Sequence, residues 1–347
     1  IRLDMEIYED LYSQDKKSRY KVLKRIGEGS FGEVVSATDT FHGCTVAVKN
    51  VRILSQKEGL PRAVFRELQS LKLLSESPFI VKVLDVYTDQ NHLCLVMEML
   101  SSDVGELINS SPSFFPRYQL KCYFNMMLQA VEFCHSRKII HRDIKPTNIL
   151  ISDGGIFKLG DFGLARICEP DNEKSLSHQV STRQYRAPEL LFAYRHYNQA
   201  VDIWSIAVVM MELITLQTLF PGLNDIDQMH KVFQIMGSPT PDRWKDVEKL
   251  PDYCKVNFPD MEPLNLSLIA THAHPEDLDF ISNFLQLDPG KRATAREGLK
   301  LPYLSTNPLP GDPSSFHVPS RATSNNSTSK KDKIESLEDF DQRILHL

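Results

Sequence analysis

The segment from His141 to Leu150, HRDIKPTNIL, places an aspartate, a lysine and an asparagine within ten residues. Its four ionisable groups and its proline disfavour a strand or a helix, so we expect a loop. A solvated surface turn is the simplest interpretation. The alternative is a loop for phosphoryl transfer, a reaction in which the protein mainly positions groups and neutralises charge. Asp143 would then accept the proton of an attacking hydroxyl, Lys145 would neutralise the moving phosphate, and Asn148 would offer its amide oxygen to Mg²⁺.

A second oxygen ligand for the metal is expected from Asp161, in the segment GDFGLAR. Gly163 gives this turn its backbone freedom. Between the two loops lies ILISDGGIFKLG, whose Asp-Gly-Gly sequence at 153–155 predicts the turn of a β-hairpin. The two loops are therefore predicted to be joined by two short antiparallel strands.

The segment GEGSFGEVV carries Gly27, Gly29 and Gly32 in a GxGxxG pattern. Glycine lets a backbone approach phosphates closely, and successive N–H groups suit anions. Dinucleotide-binding folds use the same pattern, but there it joins a strand to a helix. Here valines alternate with polar residues on both sides, which predicts a strand–strand connection and favours a flap over ATP.

Lys49 ends the strand-like run CTVAVK, and Glu67 lies on the following helix-like run LPRAVFREL. By itself such a lysine is more commonly an exposed residue of a strand. A lysine that binds the α- and β-phosphates of a nucleotide needs a carboxylate to hold it, and a helix glutamate at this separation is the expected partner. The order of glycine loop, lysine and glutamate therefore supports a nucleotide site.

The periodicity of the chain changes after Met99. Before it, alternating apolar and polar residues predict strands, with one helix at Leu60–Leu74. After it, helices are predicted at 118–139, 201–219, 227–236 and 275–287. We therefore expect an α+β protein with a small β-rich lobe that contains one main helix and a larger, mostly α lobe.

Composition and charge exclude several classes of function. The net charge of −5 gives no broad basic field for nucleic acid or an acidic membrane. The first residues have no apolar signal core, and the most apolar stretch, 201–220, is interrupted by Asp202 and Glu212. We expect neither membrane insertion nor a nucleic-acid partner. The six cysteines form no CxxC pair, which indicates reduced thiols in an intracellular protein.

Three further charged residues are expected to have structural roles. Glu189, in RAPELL, is expected to be a buried carboxylate that pairs with Arg292 in PGKRAT. Asp202 lies at a predicted helix start, where we expect it both to cap the helix and to anchor the backbone of His141 and Arg142.

These elements follow one order along the chain: glycine loop, strand lysine, helix glutamate, HRDxKxxN, DFG and APE. Over residues 20–304 the chain resembles eukaryotic protein kinases, which carry these elements in the same order. Lys145, two residues after Asp143, resembles the lysine that serine/threonine kinases have at this position. The segments EGLPRAVFREL and LDPGKRATAREGLKLPYL resemble the cyclin-dependent kinase group, and the segment from ISDGGIFKLG to APELL resembles its cell cycle-related kinase family.

The resemblance implies the two-lobed protein kinase fold. The N-lobe would span 20–98, the hinge about 98–102 and the C-lobe 103–304, after an N-terminal extension at 1–19. From residue 305 the composition shifts to Ser, Thr, Asn, Pro and Lys, so residues 305–347 are predicted to be a disordered tail.

The resemblance also implies a serine/threonine kinase that uses ATP and Mg²⁺. The loop and DFG residues named above would keep their roles, with Lys49 and Glu67 in the catalytic set. The backbone of the hinge would pair with adenine. The implied nucleotide-binding residues are Ile26, Gly27, Glu28, Gly29, Ser30, Phe31, Gly32, Glu33, Val34, Ala47, Lys49, Met97, Glu98, Met99 and Leu150.

Regulation by phosphate is expected from Arg66, Arg142 and Arg166, which occupy the three positions where arginines converge in this group. Three buried like charges without an anion are costly, and a phosphate on the segment after DFG would satisfy them. By resemblance the acceptor is Ser177, although most relatives have threonine there, and Ser175 is the alternative. An upstream activating kinase is therefore an expected partner.

The other partners follow from the resemblance alone. Protein substrates, including other kinases, are expected, and a cyclin or another activator would bind the helix at Leu60–Leu74. Arg186 favours a proline after the acceptor, whereas Gln184, in place of the usual tryptophan, loosens that pocket. Phe31 replaces an inhibitory tyrosine. The family implies ciliary or cell-cycle signalling, in the cytoplasm and nucleus and at the cilium.

Two alternatives stay open. A kinase-fold scaffold would bind partners without chemistry, and it would not need every catalytic position to be intact. A mitogen-activated kinase would carry a Thr-x-Tyr pair, where this chain has Ser-Leu-Ser at 175–177.

Overall fold

The computed structural model describes residues 14–29, 32–52, 62–89, 92–168 and 175–319. Ser30 and Phe31 of the glycine loop lie outside the described residues, as do Leu60 and Pro61 at the start of the predicted helix. All six cysteines are within them and are free thiols.

The first lobe is a five-stranded antiparallel sheet in the order β1-β2-β3-β5-β4. Its strands are β1 (Tyr20–Gly29), β2 (Gly32–Asp39), β3 (Cys44–Arg52), β4 (Val83–Asp89) and β5 (His92–Glu98). Helix α1 (Arg62–Leu73) packs its Val64 and Leu68 against Val51 and Leu95 of the sheet. The alternating pattern therefore predicts the strands, whereas consecutive residues of β2, β3 and β5 are buried, so these strands do not bury a single face.

The second lobe is mostly helical and holds the larger core. Its helices are α2 (Val104–Ser110), α3 (Arg117–Ser136), α4 (Pro188–Leu191), α5 (Ala200–Thr215), α6 (Asp225–Met236), α7 (Leu266–Ile269), α8 (Pro275–Ser282) and α9 (Ala295–Gly298). Helix α5 is buried over almost its whole length, so the apolar stretch at 201–220 is mainly a core helix. Within the described part of the chain, no helix has the length and apolarity needed to span a membrane.

Helix α8 is shorter than predicted. It ends at Ser282 instead of residue 287, because the carbonyl of Asn283 accepts the N–H of Ala293 at 2.8 Å and does not continue the helical ladder.

Five short strands lie in the second lobe. Strand β6 (Ser102–Asp103) pairs with β8 (Ile149–Ile151), β8 pairs with β9 (Phe157–Leu159), and β7 (Ile139–Ile140) pairs with β10 (Arg166–Ile167). Strands β8 and β9 are the predicted hairpin. The carbonyl of Asn148, just before β8, accepts the N–H of Gly160, just after β9, at 2.9 Å. The hairpin therefore brings the two polar loops together.

The segment before Tyr20 is docked from residue 14 onward. Residues Gln14–Arg19 form a 3-10 helix, in which Lys16 and Lys17 reach Asp85 and Asp89 of β4 at 2.8 and 2.9 Å.

The prediction of a disordered tail is wrong for residues 305–319. Lys121 donates to the carbonyl of Thr306 at 2.9 Å, Gly311 donates to the carbonyl of Tyr118 at 2.9 Å, and the ring of Phe316 packs on Tyr123. This segment therefore covers part of α3, and the rest of the predicted tail, 320–347, lies outside the described residues.

The docked segment at 305–319 also contacts the turn between β8 and β9, where Gly155 lies against Pro313. Gly155 has a left-handed φ of 73°, and a Cβ there would lie 2.1 Å from the carbonyl oxygen of Pro313. We expect Gly155→Ala to lower the free energy of unfolding by about 1–3 kcal/mol, because it adds backbone strain and a clash. Urea denaturation measures this loss.

Gly154→Ala is the matched control, because the nearest atom to its added Cβ is a serine hydroxyl at 3.9 Å. Equal stability of the two variants would contradict the docking of residues 305–319 on this turn.

Candidate active site

A cavity of about 580 Å³ lies between the two lobes. It is bounded by β1, β2, β3 and β5 from the first lobe, and by β8 and the loop after β9 from the second. The expected residues that line it are Ile26, Gly27, Val34, Ala47, Lys49, Glu67, Met97, Glu98, Met99, Lys145, Asn148, Leu150 and Asp161. The cavity is also lined by residues that the sequence did not predict, among them Val81, Leu100, Asp103, Glu106, Thr147 and Gly160.

The glycine segment connects β1 to β2, as predicted, with Glu28 opposite Glu33 and Gly29 opposite Gly32. A Cβ on Gly32 would lie 1.8 Å from the carbonyl oxygen of Asn50 on β3, so only glycine allows this close approach of the two strands. Gly32 and Glu33 belong to β2 but are not among the residues found to line the cavity.

Lys49 on β3 is buried between two carboxylates. Its Nζ donates to Glu67 Oε1 on α1 at 2.6 Å and to Asp161 Oδ1 at 2.9 Å. Burial alone lowers the pKa of Lys49, but attraction to the two carboxylates outweighs burial and raises it. Burial likewise opposes the ionisation of Asp161, and the Lys49 amine reverses that effect and lowers the pKa of Asp161. The amine is therefore charged and held inside the cavity.

Asp143 and Lys145 meet at Thr182. Asp143 Oδ1 accepts hydrogen bonds from the backbone N–H and the hydroxyl of Thr182, both at 2.9 Å. Lys145 Nζ donates to the same hydroxyl at 3.0 Å and lies 3.1 Å from Asp143 Oδ2. Thr182 was not expected here, because a lone threonine before RQYRAPE carries no local signal. It fixes the carboxylate and the amine beside each other.

Asp202 holds the backbone of the loop that begins at His141. Its two carboxylate oxygens accept the N–H groups of His141 and Arg142, both at 2.8 Å, and one of them also lies 2.9 Å from His135 Nε2. The predicted anchoring role is therefore confirmed. The predicted capping role is wrong, because the N-cap of α5 is Gln199 and the side chain of Asp202 turns toward the loop.

Asn148 and Asp161 supply oxygen donors to the cavity. The amide nitrogen of Asn148 donates to the carbonyl and to Oδ2 of Asp143, at 2.8 and 3.1 Å, which directs its amide oxygen away from Asp143. Asp161 has a left-handed backbone, with φ 55° and ψ 69°. A carboxylate and an amide oxygen are hard donors of the kind that Mg²⁺ prefers, so these two residues fit the metal.

The three arginines of the expected phosphate site lie on adjoining elements. Arg142 is buried, and its guanidinium donates to the carbonyl of Leu164 and to the hydroxyl of Tyr197, at 2.8 and 2.9 Å. Arg66 and Arg166 are only half-buried. They lie on α1 and β10, two elements in contact. The Tyr197 hydroxyl in turn donates to the carbonyl of Ser177 at 2.6 Å.

Two further arginines organise the segment that follows. Arg292 makes the expected pair with Glu189, with two contacts of 2.7 Å and both side chains buried. Arg186 donates to the carbonyl oxygens of Val180 and Ser181, both at 3.0 Å, and Ser181 has a left-handed φ of 69°. These contacts fix the chain from Val180 to the APE segment.

Comparisons with known proteins agree with this geometry. The model of the protein kinase domain family matches residues 20–304. Human cyclin-dependent kinase 20 is 39% identical over 303 residues, which cover 87% of this chain and 88% of that protein. Cyclin-dependent kinase D-1 of Arabidopsis thaliana is 36% identical over 326 residues, which cover 93% of this chain and 80% of that protein.

A solved structure also superposes on the chain. A chain of the CAK complex from Chaetomium thermophilum, bound to ATP-gamma-S, matches with a TM-score of 0.79 and 34% identity, over 87% of this chain and 95% of that one. The lobes, the cavity and these similarities lead to one conclusion: the chain belongs to the protein kinase domain family, as a serine/threonine kinase of the cyclin-dependent kinase type.

Proposed function

We propose that this kinase transfers the γ-phosphate of Mg·ATP to serine and threonine hydroxyls of proteins, with Asp143 as the proton acceptor. The observation that carries the proposal is the placement of two connected charged groups, of which the first lines the cavity and the second reaches it through Lys145. Lys49 with Glu67 and Asp161 forms one group, and Asp143 with Lys145 and Thr182 forms the other.

Each group has a distinct part in the proposed reaction. Lys49 would bind the α- and β-phosphates, since Glu67 already holds its amine in the cavity. When bound, Mg²⁺ would neutralise phosphate charge, and Asn148 and Asp161 would hold it. Asp143 would orient the attacking hydroxyl and take its proton, while the Lys145 amine would stabilise charge on the transferred group.

Removing the carboxylate tests the proposed proton acceptor. We expect Asp143→Asn to lower kcat by about 10²–10⁴-fold, because general base catalysis is lost. Lys49→Met is expected to abolish transfer by removing the phosphate contact. Radiolabelled transfer from ATP to a protein substrate measures both.

Asp279→Asn, at an exposed position of α8, is the matched control and should keep the wild-type rate. Wild-type transfer by Asp143→Asn would exclude Asp143 as the base. No transfer by the wild-type chain, even with candidate cyclins and an activating kinase added, would instead favour the scaffold.

A preference for proline after the acceptor is also proposed. Arg186 occupies the carbonyl oxygens of Val180 and Ser181, so these groups are engaged within the protein. A substrate residue with an N–H at this point would bury a donor without a partner, whereas proline has none.

Peptides that differ only after the acceptor serine test this preference. We expect kcat/KM to be about tenfold higher for Ser-Pro than for Ser-Ala, since an unsatisfied donor costs about 1–3 kcal/mol. A peptide with N-methylalanine, which also lacks the N–H, should recover most of the difference. If N-methylalanine behaves like alanine, the unpaired donor is not the cause.

Phosphorylation of Ser177 is proposed as the activating event. Ser177 is exposed, and its backbone is tied through Tyr197 to Arg142. A phosphate there would add charge-assisted bonds to Arg142 and to the half-buried Arg66 and Arg166.

We expect active enzyme to carry phosphate on Ser177, and Ser177→Ala to lower kcat/KM by at least about tenfold, because the added bonds order the segment. Ser175→Ala, two residues away and also exposed, tests the alternative acceptor and should keep the wild-type rate if Ser177 is the acceptor. Intact-mass analysis and peptide mapping measure occupancy, and active enzyme without phosphate at Ser177 would contradict the proposal.

The relatives' names support a regulatory partner. We propose that a cyclin or another activator binds at α1, where Glu67 and Arg66 would respond to it. We further propose that other kinases are among the substrates, and that the protein acts in ciliary or cell-cycle signalling in the cytoplasm, the nucleus and the cilium. Co-purification with candidate cyclins and imaging of the tagged chain test these assignments.

A further inference from the structure

Lys158 is a buried lysine that the proposed chemistry does not use. It lies on β9, and its Nζ donates to both carboxylate oxygens of Glu98, at 2.8 and 2.9 Å. Glu98 ends β5 of the first lobe, whereas β9 belongs to the second lobe. This ion pair therefore crosses the junction between the lobes.

The Glu98 carboxylate has another contact besides Lys158. Its Oε1 accepts the backbone N–H of Lys82 at 2.8 Å, and the N–H of Glu98 donates to the carbonyl of Lys82 at 3.1 Å. Glu98 is also part of the cavity wall, at the hinge where adenine is expected. The side chain of Lys158 and the backbone N–H of Lys82 together fix the orientation of the Glu98 side chain in this wall.

Strand β9 is itself held firmly. The N–H of Val81 donates to the carbonyl of Leu159 at 3.0 Å, and the N–H of Leu159 donates to the carbonyl of Phe79 at 2.8 Å. Asp161 follows only two residues after Leu159. Because Lys158 lies on this same short strand, its ion pair connects the hinge end of the cavity to the end that holds Asp161.

We infer that Lys158 is a positioning residue for the nucleotide, acting through its ion pair with Glu98 to hold the hinge at a fixed distance from Asp161. If the cavity already has the length of one nucleotide, no free energy is lost in ordering it when ATP binds. Without Lys158, the half-buried Glu98 carboxylate would lose its cation and keep the backbone N–H of Lys82 as a partner. The inference rests on the proposed ATP-dependent transfer, and it concerns nucleotide affinity instead of the chemical step.

Lys158→Met tests the inference. We expect KM for ATP to rise by about tenfold, equivalent to about 1.4 kcal/mol, while kcat at saturating ATP stays within about twofold, because Asp143 and Lys49 are unchanged. The affinity for a non-hydrolysable ATP analogue, measured by equilibrium titration, should fall by the same factor. Lys158→Arg, which keeps the cation, should recover most of this affinity.

Lys121→Met is the matched control, because Lys121 is equally a buried lysine of the second lobe, but it lies on α3 and donates to the carbonyl of Thr306. It should lower the unfolding temperature and leave KM for ATP unchanged. If Lys158→Met does not fold, Glu98→Gln replaces it, since it weakens the same ion pair and should raise KM in the same way.

The outcomes separate the inference from the proposed function. A lower unfolding temperature with unchanged KM and analogue affinity would make Lys158 a structural residue only and would overturn the inference. If the wild-type chain transfers no phosphate, the proposed function fails, but analogue titration of wild type and Lys158→Met still decides the positioning role.

Discussion

The carboxylate of Asp202 fixes the loop on which the proposed chemistry depends. Arg142 has a left-handed φ of 68°, which costs a non-glycine residue on the order of 1 kcal/mol, and the two N–H bonds to Asp202 hold the loop in this conformation. Because Asp202 belongs to the deeply buried helix α5, the loop is tied to the core of the second lobe. Catalytic groups need such support, since small displacements reduce the rate strongly.

His141, in the same loop, also fixes the position of the DFG segment. The N–H of Asp143 donates to His141 Nδ1 at 3.2 Å, so Nε2 carries the proton and donates to the carbonyl of Gly160 at 2.9 Å. Asp161 follows directly and contacts Lys49, which in turn contacts Glu67 of the first lobe. A series of hydrogen bonds, joined by the backbone between Gly160 and Asp161, therefore runs from the core of the second lobe to the helix of the first. Any partner that moves α1 would act on this series at Glu67.

The sequence predicts those features that depend on local order. The hairpin, the strand–strand glycine loop and the residues of HRDxKxxN and DFG follow from turn residues and spacing, and the pairing of Lys49 with Glu67 follows from the order of a strand and a helix. Thr182, Val81 and Lys158 could not be predicted, because their importance depends on neighbours that are distant in the chain. The docked segment at 305–319 was missed for a related reason. Phe316 and Val318 are isolated apolar residues in a polar stretch, and their role appears only in the fold, where both pack against the core and Phe316 contacts Tyr118 and Tyr123 of α3.

The energetics of the buried charges distinguish an enzyme from a scaffold. Burying Lys49 and Glu67 requires removing both from water, and a buried ion pair is often no more stabilising than apolar residues of similar size. A protein that only binds partners would gain little from this pair. It would gain equally little from a half-exposed Lys145 held against Asp143. Both arrangements are useful when a highly charged phosphate enters the cavity, because the cations are already in place and need not be reorganised. The free-energy cost of burying these charged groups is therefore better explained by a role in phosphoryl transfer than by a contribution to stability.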